Sequence, residues 1–153
     1  MKLILALVDL SEATSDVVTL AGKIAASMKS RLIVLHVAMP DAEFVGSRER
    51  DDVSRKGIAA ELRRDHRKLE ILQLELKKLG VDAMALMVRS DSKRGDPVGK
   101  IVQEINRMKP DLIVLGSHAR SRLYQMIAGS VSDAVLRKVC CPLLLVPRHS
   151  PRA

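Results

Sequence analysis

The sequence predicts an α/β protein: a single open, doubly wound sheet of five parallel strands with four helices. Short apolar runs alternate along the chain with longer amphipathic stretches, and turn residues separate them. The runs are almost continuously apolar, as strands covered on both faces are. At 153 residues the chain makes one ordinary domain, and these elements fill it. Parallel strands joined by right-handed helical crossovers build βαβ units, and ligands of such sheets sit beyond the carboxyl ends of the strands, where strand order reverses.

The first strand is Leu3–Val8, stopped by Asp9. The first helix spans about 12–29, where Val17, Leu20, Ala21, Ile24 and Met28 share a face. The second strand is Leu32–Val37, and His36 near its end reads as a satisfied core histidine rather than a base. Residues 38–52 form a long polar connection, either a lid or a mobile segment. Over 53–79, Ile58, Leu62, Leu69, Leu72, Leu76 and Leu79 follow steps of three and four, broken by Asp65. Such a stripe suits the core side of a long sheet-packing helix better than a coiled-coil seam. A third strand, Ala83–Val88, precedes a helix over 97–109 that opens on Pro97, suited to a first turn, and places Val98, Ile101, Val102, Ile105 and Met108 on one side. The fourth strand is Leu112–Leu115. A last helix over about 130–139, with Val131, Ala134, Val135 and Val139 inward, leads to the fifth strand, Leu143–Val146.

Composition narrows the function. Hydrophobic residues make up 47% and charged residues 29%, which fits a compact core and argues against general disorder. Aromatics are 1%, so the core is aliphatic, and stacking platforms for nucleic acid are lacking: Phe44 and Tyr124 are the aromatic residues. The net charge is +8. From Gly116 onward six basic residues face one acid, Asp133, so positive charge gathers in the last quarter of the chain. No helix-turn-helix, zinc-finger or RNA-recognition signature accompanies it, so no specific nucleic-acid partner is expected. No apolar run approaches the roughly 18–20 residues that span a bilayer, and Asp9 interrupts the N-terminal run before it reaches the length of a secretory segment. No membrane partner and a cytoplasmic location are expected. Adjacent Cys140 and Cys141 suit neither a structural disulfide nor zinc, and His36, His66, His118 and His149 lack metal-motif spacing, so no metal ligands are assigned.

The chemistry gathers in residues 111–147. Asp111-Leu112-Ile113-Val114-Leu115 ends in Gly116-Ser117, and a polar loop leads to Gly129-Ser130-Val131-Ser132-Asp133. Small residues where a strand stops and a helix begins let backbone N–H groups approach an anion, with the helix dipole aimed at it. Phosphate is the natural ligand. Plainer roles are available: Asp9 with Glu12, and Ser130 with Asp133, fit capping boxes, while His118, Arg120 and Arg122 could be solvated surface groups. P-loop, dinucleotide and nucleophile-elbow motifs are missing, and no catalytic residues are assigned.

In order, Val8-Asp9-Leu10-Ser11, Leu35-His36-Val37, Gly95-Asp96-Pro97, Asp111 to Ser117, Gly129-Ser130-Val131 and Cys141-Pro142 to Pro147 resemble the universal stress protein family over nearly the whole chain. The family's nucleotide motif, Gly, two residues, Gly, nine residues, Gly-Ser, matches in spacing from Gly116 to Gly129-Ser130, with Ala119 standing where ATP-binding members carry Gly. Leu10 stands where Gly is frequent. The resemblance implies an adenine nucleotide alpha hydrolase-like sheet in the order 3-2-1-4-5, filling residues 1–148 with 149–153 a flexible basic tail. It implies a homodimer joined through the last strand and ATP as ligand, with or without Mg²⁺. Asp9 and the backbone near Val37 would face adenine, Leu115 and Gly116 the ribose side, and Ala119, Gly129, Ser130 and Val131 the phosphates. Ala119 predicts weaker binding than Gly would give. A dimeric scaffold without nucleotide and, further behind, a slow ATP hydrolase are the alternatives.

Overall fold

A computed structural model of the chain describes residues 1–38, 51–90, 97–117 and 138–147. Strands β1 (Leu3–Val8), β2 (Arg31–Ala38), β3 (Ala83–Arg89), β4 (Leu112–Gly116) and β5 (Leu143–Val146) form one sheet in the order β3-β2-β1-β4-β5. All four pairings are parallel, and central β1 sets Leu5 opposite Ile33 on one side and Ile113 on the other. Helices α1 (Thr14–Met28), α2 (Asp51–Lys78) and α3 (Pro97–Met108) are described. The predicted fourth helix lies outside the described residues except at its end, where Lys138 is helical, so three of the four predicted helices are seen among the described residues. Most of the 38–52 connection also lies outside them, and α2 already begins at Asp51.

Alternation along the strands divides the core in two. Ile4, Ala6 and Val8 of β1 join Leu32 and Val34 of β2 and Val114 of β4 beneath α1 and α2. Leu5 and Leu7 join Leu35, Val37, Ile113 and Leu115 beneath α3, where Val98, Ile101, Val102 and Ile105 complete the layer. Successive side chains of a strand point to opposite faces, so each apolar run supplies both layers.

The helix faces correct the sequence reading in detail. On α1 the buried set is Thr14, Val17, Val18, Ala21, Gly22 and Ala25, while Met28 is half exposed. The face is turned toward smaller residues because α2 also lies against it: a Cβ at Gly22 would come within 2.8 Å of Leu76 Cδ2. On α2, Leu69 and Leu76 are buried and Leu72 packs beside them, but Leu79 lies past the helix end and is exposed. The helix packs on β3 and β2, which settles its stripe as a sheet-packing face.

One carboxylate fastens the far end of the sheet. Asp111 Oδ2 accepts the backbone N–H groups of Lys2 at 2.6 Å and Leu3 at 2.9 Å, tying the start of β1 to β4. Those two donors, Leu3 first, hold the Asp111 carboxyl below its ordinary value of 3.8. A lowered folded-state value means the stabilisation is present above that ordinary value and disappears as pH falls through the folded one. Cys140 is exposed and Cys141 half-buried against the α3 layer, and they form no disulfide. Burial, reinforced by Cys140 and Asp111, pushes the Cys141 thiol up, away from the reactive thiolate.

Candidate functional site

Strand order reverses between β1 and β4: the chain adds β2 and β3 on one side of β1, then returns to place β4 and β5 on the other. At the carboxyl ends of those two strands, Leu7, Val8, Asp9, Ala13, Thr14, Val17 and Gly116 line a small cleft beneath the start of α1. This is where an open parallel sheet accepts a ligand.

The local chain path explains how the cleft forms. Asp9 Oδ1 accepts the Ser11 N–H at 3.0 Å, and the Thr14 N–H donates to Ser11 O at 3.0 Å, so the chain turns sharply out of β1 and into α1. The capping-box expectation for Asp9 and Glu12 is therefore overturned: α1 starts at Thr14, its N-cap is Ala13, and no side chain caps it. A carboxylate engaged two residues along the turn sits too early in the chain to reach that helix start.

Between them Leu10 adopts φ 59°, the left-handed region. This gives the physical reason why glycine suits that position, since a Cβ there costs about 1–2 kcal/mol. Leu10 offsets the strain by packing against the α1 layer. Comparing Leu10→Gly with Leu10→Ala removes most of that packing from the comparison. The Gly variant is expected to be about 1 kcal/mol more stable than the Ala variant in urea unfolding, and equal stabilities would mean the turn is unstrained.

Gly116 closes the other wall. Its backbone is not left-handed, and a Cβ built there would stand 3.5 Å from Val17 Cγ2 and 4.0 Å from Ala13 Cβ, ordinary contacts. Glycine is thus not demanded by conformation at this place; what it contributes is open space. Ser117 N–H donates to Val146 O at 2.8 Å and fixes the chain as it leaves β4.

Of the residues expected at the site, Asp9 and Gly116 line the same cleft. Leu115, opposite Leu7, and Val37, opposite Val88, are buried in the α3 layer, each one residue before the end of its strand, so their side chains are committed to packing. Ala119, Gly129, Ser130 and Val131 lie outside the described residues, as do His118, Arg120 and Arg122.

Two residues escaped the sequence reading. Thr14 is 7% exposed and lines the cleft, and its Oγ1 has no hydrogen-bond partner among the described residues. Asp65, which breaks the α2 stripe, reaches His36: its Oδ2 lies 3.3 Å from Nε2, while His36 Nδ1 lies 3.0 Å from Val8 O. His36 is a satisfied core histidine as expected, and its partners fasten α2 to the end of β1. A carboxylate at a core position of a helix, with a histidine at the end of an apolar strand, was the signal available for that pair.

Among the described residues, no group of three or more His, Cys, Asp or Glu is placed to hold a metal ion, and no helix is long and apolar enough to cross a membrane.

Comparison with known proteins agrees with this geometry. The model of the universal stress protein family matches residues 1–147. A universal stress protein A-like protein of Arabidopsis thaliana is 29% identical over 129 residues, covering 78% of this chain and 68% of that one. Universal stress protein UspA from Lactobacillus plantarum superposes with a TM-score of 0.74 at 22% identity, over 95% of this chain and 97% of its own. A universal stress protein crystallised in complex with cAMP superposes with a TM-score of 0.60 at 23% identity, over 95% and 96% of the two chains. At such identities the solved structures speak to the fold.

Proposed function

Because the chain belongs to the universal stress protein family, we propose that it is a cytoplasmic regulatory module that binds an adenine nucleotide, ATP, at the carboxyl ends of β1 and β4 and acts as a homodimer. The carrying observation is the cleft at the reversal point, open because Gly116 and Ala13 are small and holding a buried hydroxyl with no partner among the described residues. A site with spare polar capacity and missing side-chain volume fits a polar ligand. That a family member was crystallised with cAMP supports the same ligand class.

In this reading Asp9 and the Val37 backbone serve the base, Leu115 and Gly116 the ribose side, and Ala119, Gly129, Ser130 and Val131 the phosphates. The phosphate assignment rests on the sequence motif. Titration calorimetry with ATP, with and without Mg²⁺, is expected to show saturable binding of one nucleotide per chain. Absence of heat at millimolar nucleotide would leave the dimeric scaffold as the better reading.

For the dimer, β5 supports an edge-to-edge pairing. It stands at the end of the sheet with β4 as its neighbour, and Leu145 on it is 47% exposed. An apolar edge strand invites pairing with its own copy about a two-fold axis. Leu144 packs against the α1 layer, so a charge there would disturb the core as well, whereas Leu145→Lys acts on the exposed surface. Light scattering is expected to report a dimer for the wild type and a monomer for Leu145→Lys; a dimeric variant would place the interface elsewhere.

A further inference from the structure

Thr14 stands at the start of a fifteen-residue helix and lines the cleft between β1 and β4. Its main-chain N–H is already engaged by Ser11 O, and its hydroxyl, on a residue 7% exposed, meets no partner among the described residues. A buried hydroxyl left unpaired is unfavourable for folding alone, so its presence beside a ligand cleft calls for a ligand atom.

The cleft limits what that atom can be. The cleft opens to solvent on one side, and its inner end has about 10 Å³, roughly the space of a single water-sized group. A planar base does not reach that inner end. A phosphate oxygen would, but Asp9 lines the same cleft and its negative charge disfavours an anion. A neutral hydroxyl is not repelled by Asp9, and it can donate to or accept from the Thr14 hydroxyl. We propose that Thr14 is a specificity-determining residue whose Oγ1 hydrogen-bonds a ribose hydroxyl of the bound nucleotide. This inference rests on the nucleotide reading above and adds the part of the ligand that this end of the site discriminates.

The test compares wild type, Thr14→Val and Thr14→Ser against ATP, 2′-deoxy-ATP and 3′-deoxy-ATP by titration calorimetry, with thermal unfolding of each protein without ligand. Thr14→Val is expected to bind ATP about tenfold more weakly, the scale of a single neutral hydrogen bond. Thr14→Ser keeps the hydroxyl and is expected to bind within about threefold of wild type. At least one deoxy analogue should bind wild type about tenfold more weakly than ATP and lose nothing further in Thr14→Val. Without ligand, Thr14→Val should unfold at the same temperature or higher, since it removes a polar group with no protein partner. A hydroxyl with a purely structural role would instead lower the unfolding temperature and leave sugar discrimination untouched.

The proposal is overturned if Thr14→Val binds ATP as tightly as wild type, or if it weakens ATP and both deoxy analogues by one common factor. Wild type that binds no nucleotide would remove the nucleotide reading and this inference together; wild type that binds, with Thr14→Val unchanged, removes this inference alone.

Discussion

Asp65→Ala is expected to lower the unfolding free energy by about 2 kcal/mol, a large cost for an exchange on a helix half of whose residues are charged. The reason is the company Asp65 keeps. Its carboxylate faces His36 Nε2 at 3.3 Å, and the other ring nitrogen faces Val8 O at 3.0 Å. His36 is 8% exposed, so a ring nitrogen that loses its partner has little water to replace it. Removing one partner of a fully buried pair costs about 3–5 kcal/mol; the Asp65 side chain retains 19% exposure, which lowers the expectation. His36→Leu should cost a similar amount, leaving both Val8 O and Asp65 without the ring. The double variant His36→Leu/Asp65→Leu is the decisive one. Once both polar groups are gone, its cost should fall short of the sum of the single variants by about 1–2 kcal/mol. Urea unfolding of the four proteins checks this, and strict additivity would show that the two side chains do not act as a pair. Because Val8 precedes Asp9, the pair also bears on function: it fastens the middle of α2 to the last residue of β1, where the cleft begins.

This pair shows where the sequence was legible and where it was not. The strands were readable almost to the residue, Leu3–Val8 and Leu143–Val146 among them, because a parallel sheet covered on both faces leaves an uninterrupted apolar run. The inward side of α3 was equally plain, since Val98, Ile101, Val102 and Ile105 repeat at helical spacing and meet a single layer. α1 was read less well because it touches two things, the sheet and α2. Its buried arc therefore widens to include Val18, Gly22 and Ala25 and leaves Met28 outside. Asp65 registered as a flaw in a stripe, for periodicity counts apolar positions and is blind to a polar side chain whose partner lies on another element. Asp9 registered as a helix cap because its spacing to Glu12 suits one, whereas the turn through Leu10 moves the helix start to Thr14. Thr14 gave no signal at all. A threonine in a first helical turn is ordinary, and it becomes informative only when its hydroxyl is found buried without a partner among the described residues.

Gly116→Val should abolish nucleotide binding, or weaken it at least a hundredfold, while leaving the fold in place. Two effects oppose each other in stability. Restricting the unfolded chain by replacing glycine gains about 0.4–1 kcal/mol where the native backbone accepts a side chain, and Gly116 is such a place. Its position at the end of β4, opposite Val146, also suits a β-branched residue. Against this, Cβ would meet Val17 Cγ2 at 3.5 Å, and the two γ-carbons beyond it crowd a cleft of about 10 Å³. Such crowding costs about 1–3 kcal/mol when the surroundings cannot yield. Solvent lies on one side of this cleft, so the net change in unfolding free energy should stay within about 1.5 kcal/mol of zero. Binding has no such compensation, because the volume that valine occupies is the volume a ligand needs. Gly116→Ala separates the two effects, with unfolding free energy expected to rise by about 0.5 kcal/mol and affinity to fall by a smaller factor. If Gly116→Val takes up ATP as the wild type does, the nucleotide lies elsewhere and the opening between β1 and β4 is a packing gap. If its affinity collapses while its unfolding curve stays near that of the wild type, the missing side chain at position 116 is there for the ligand.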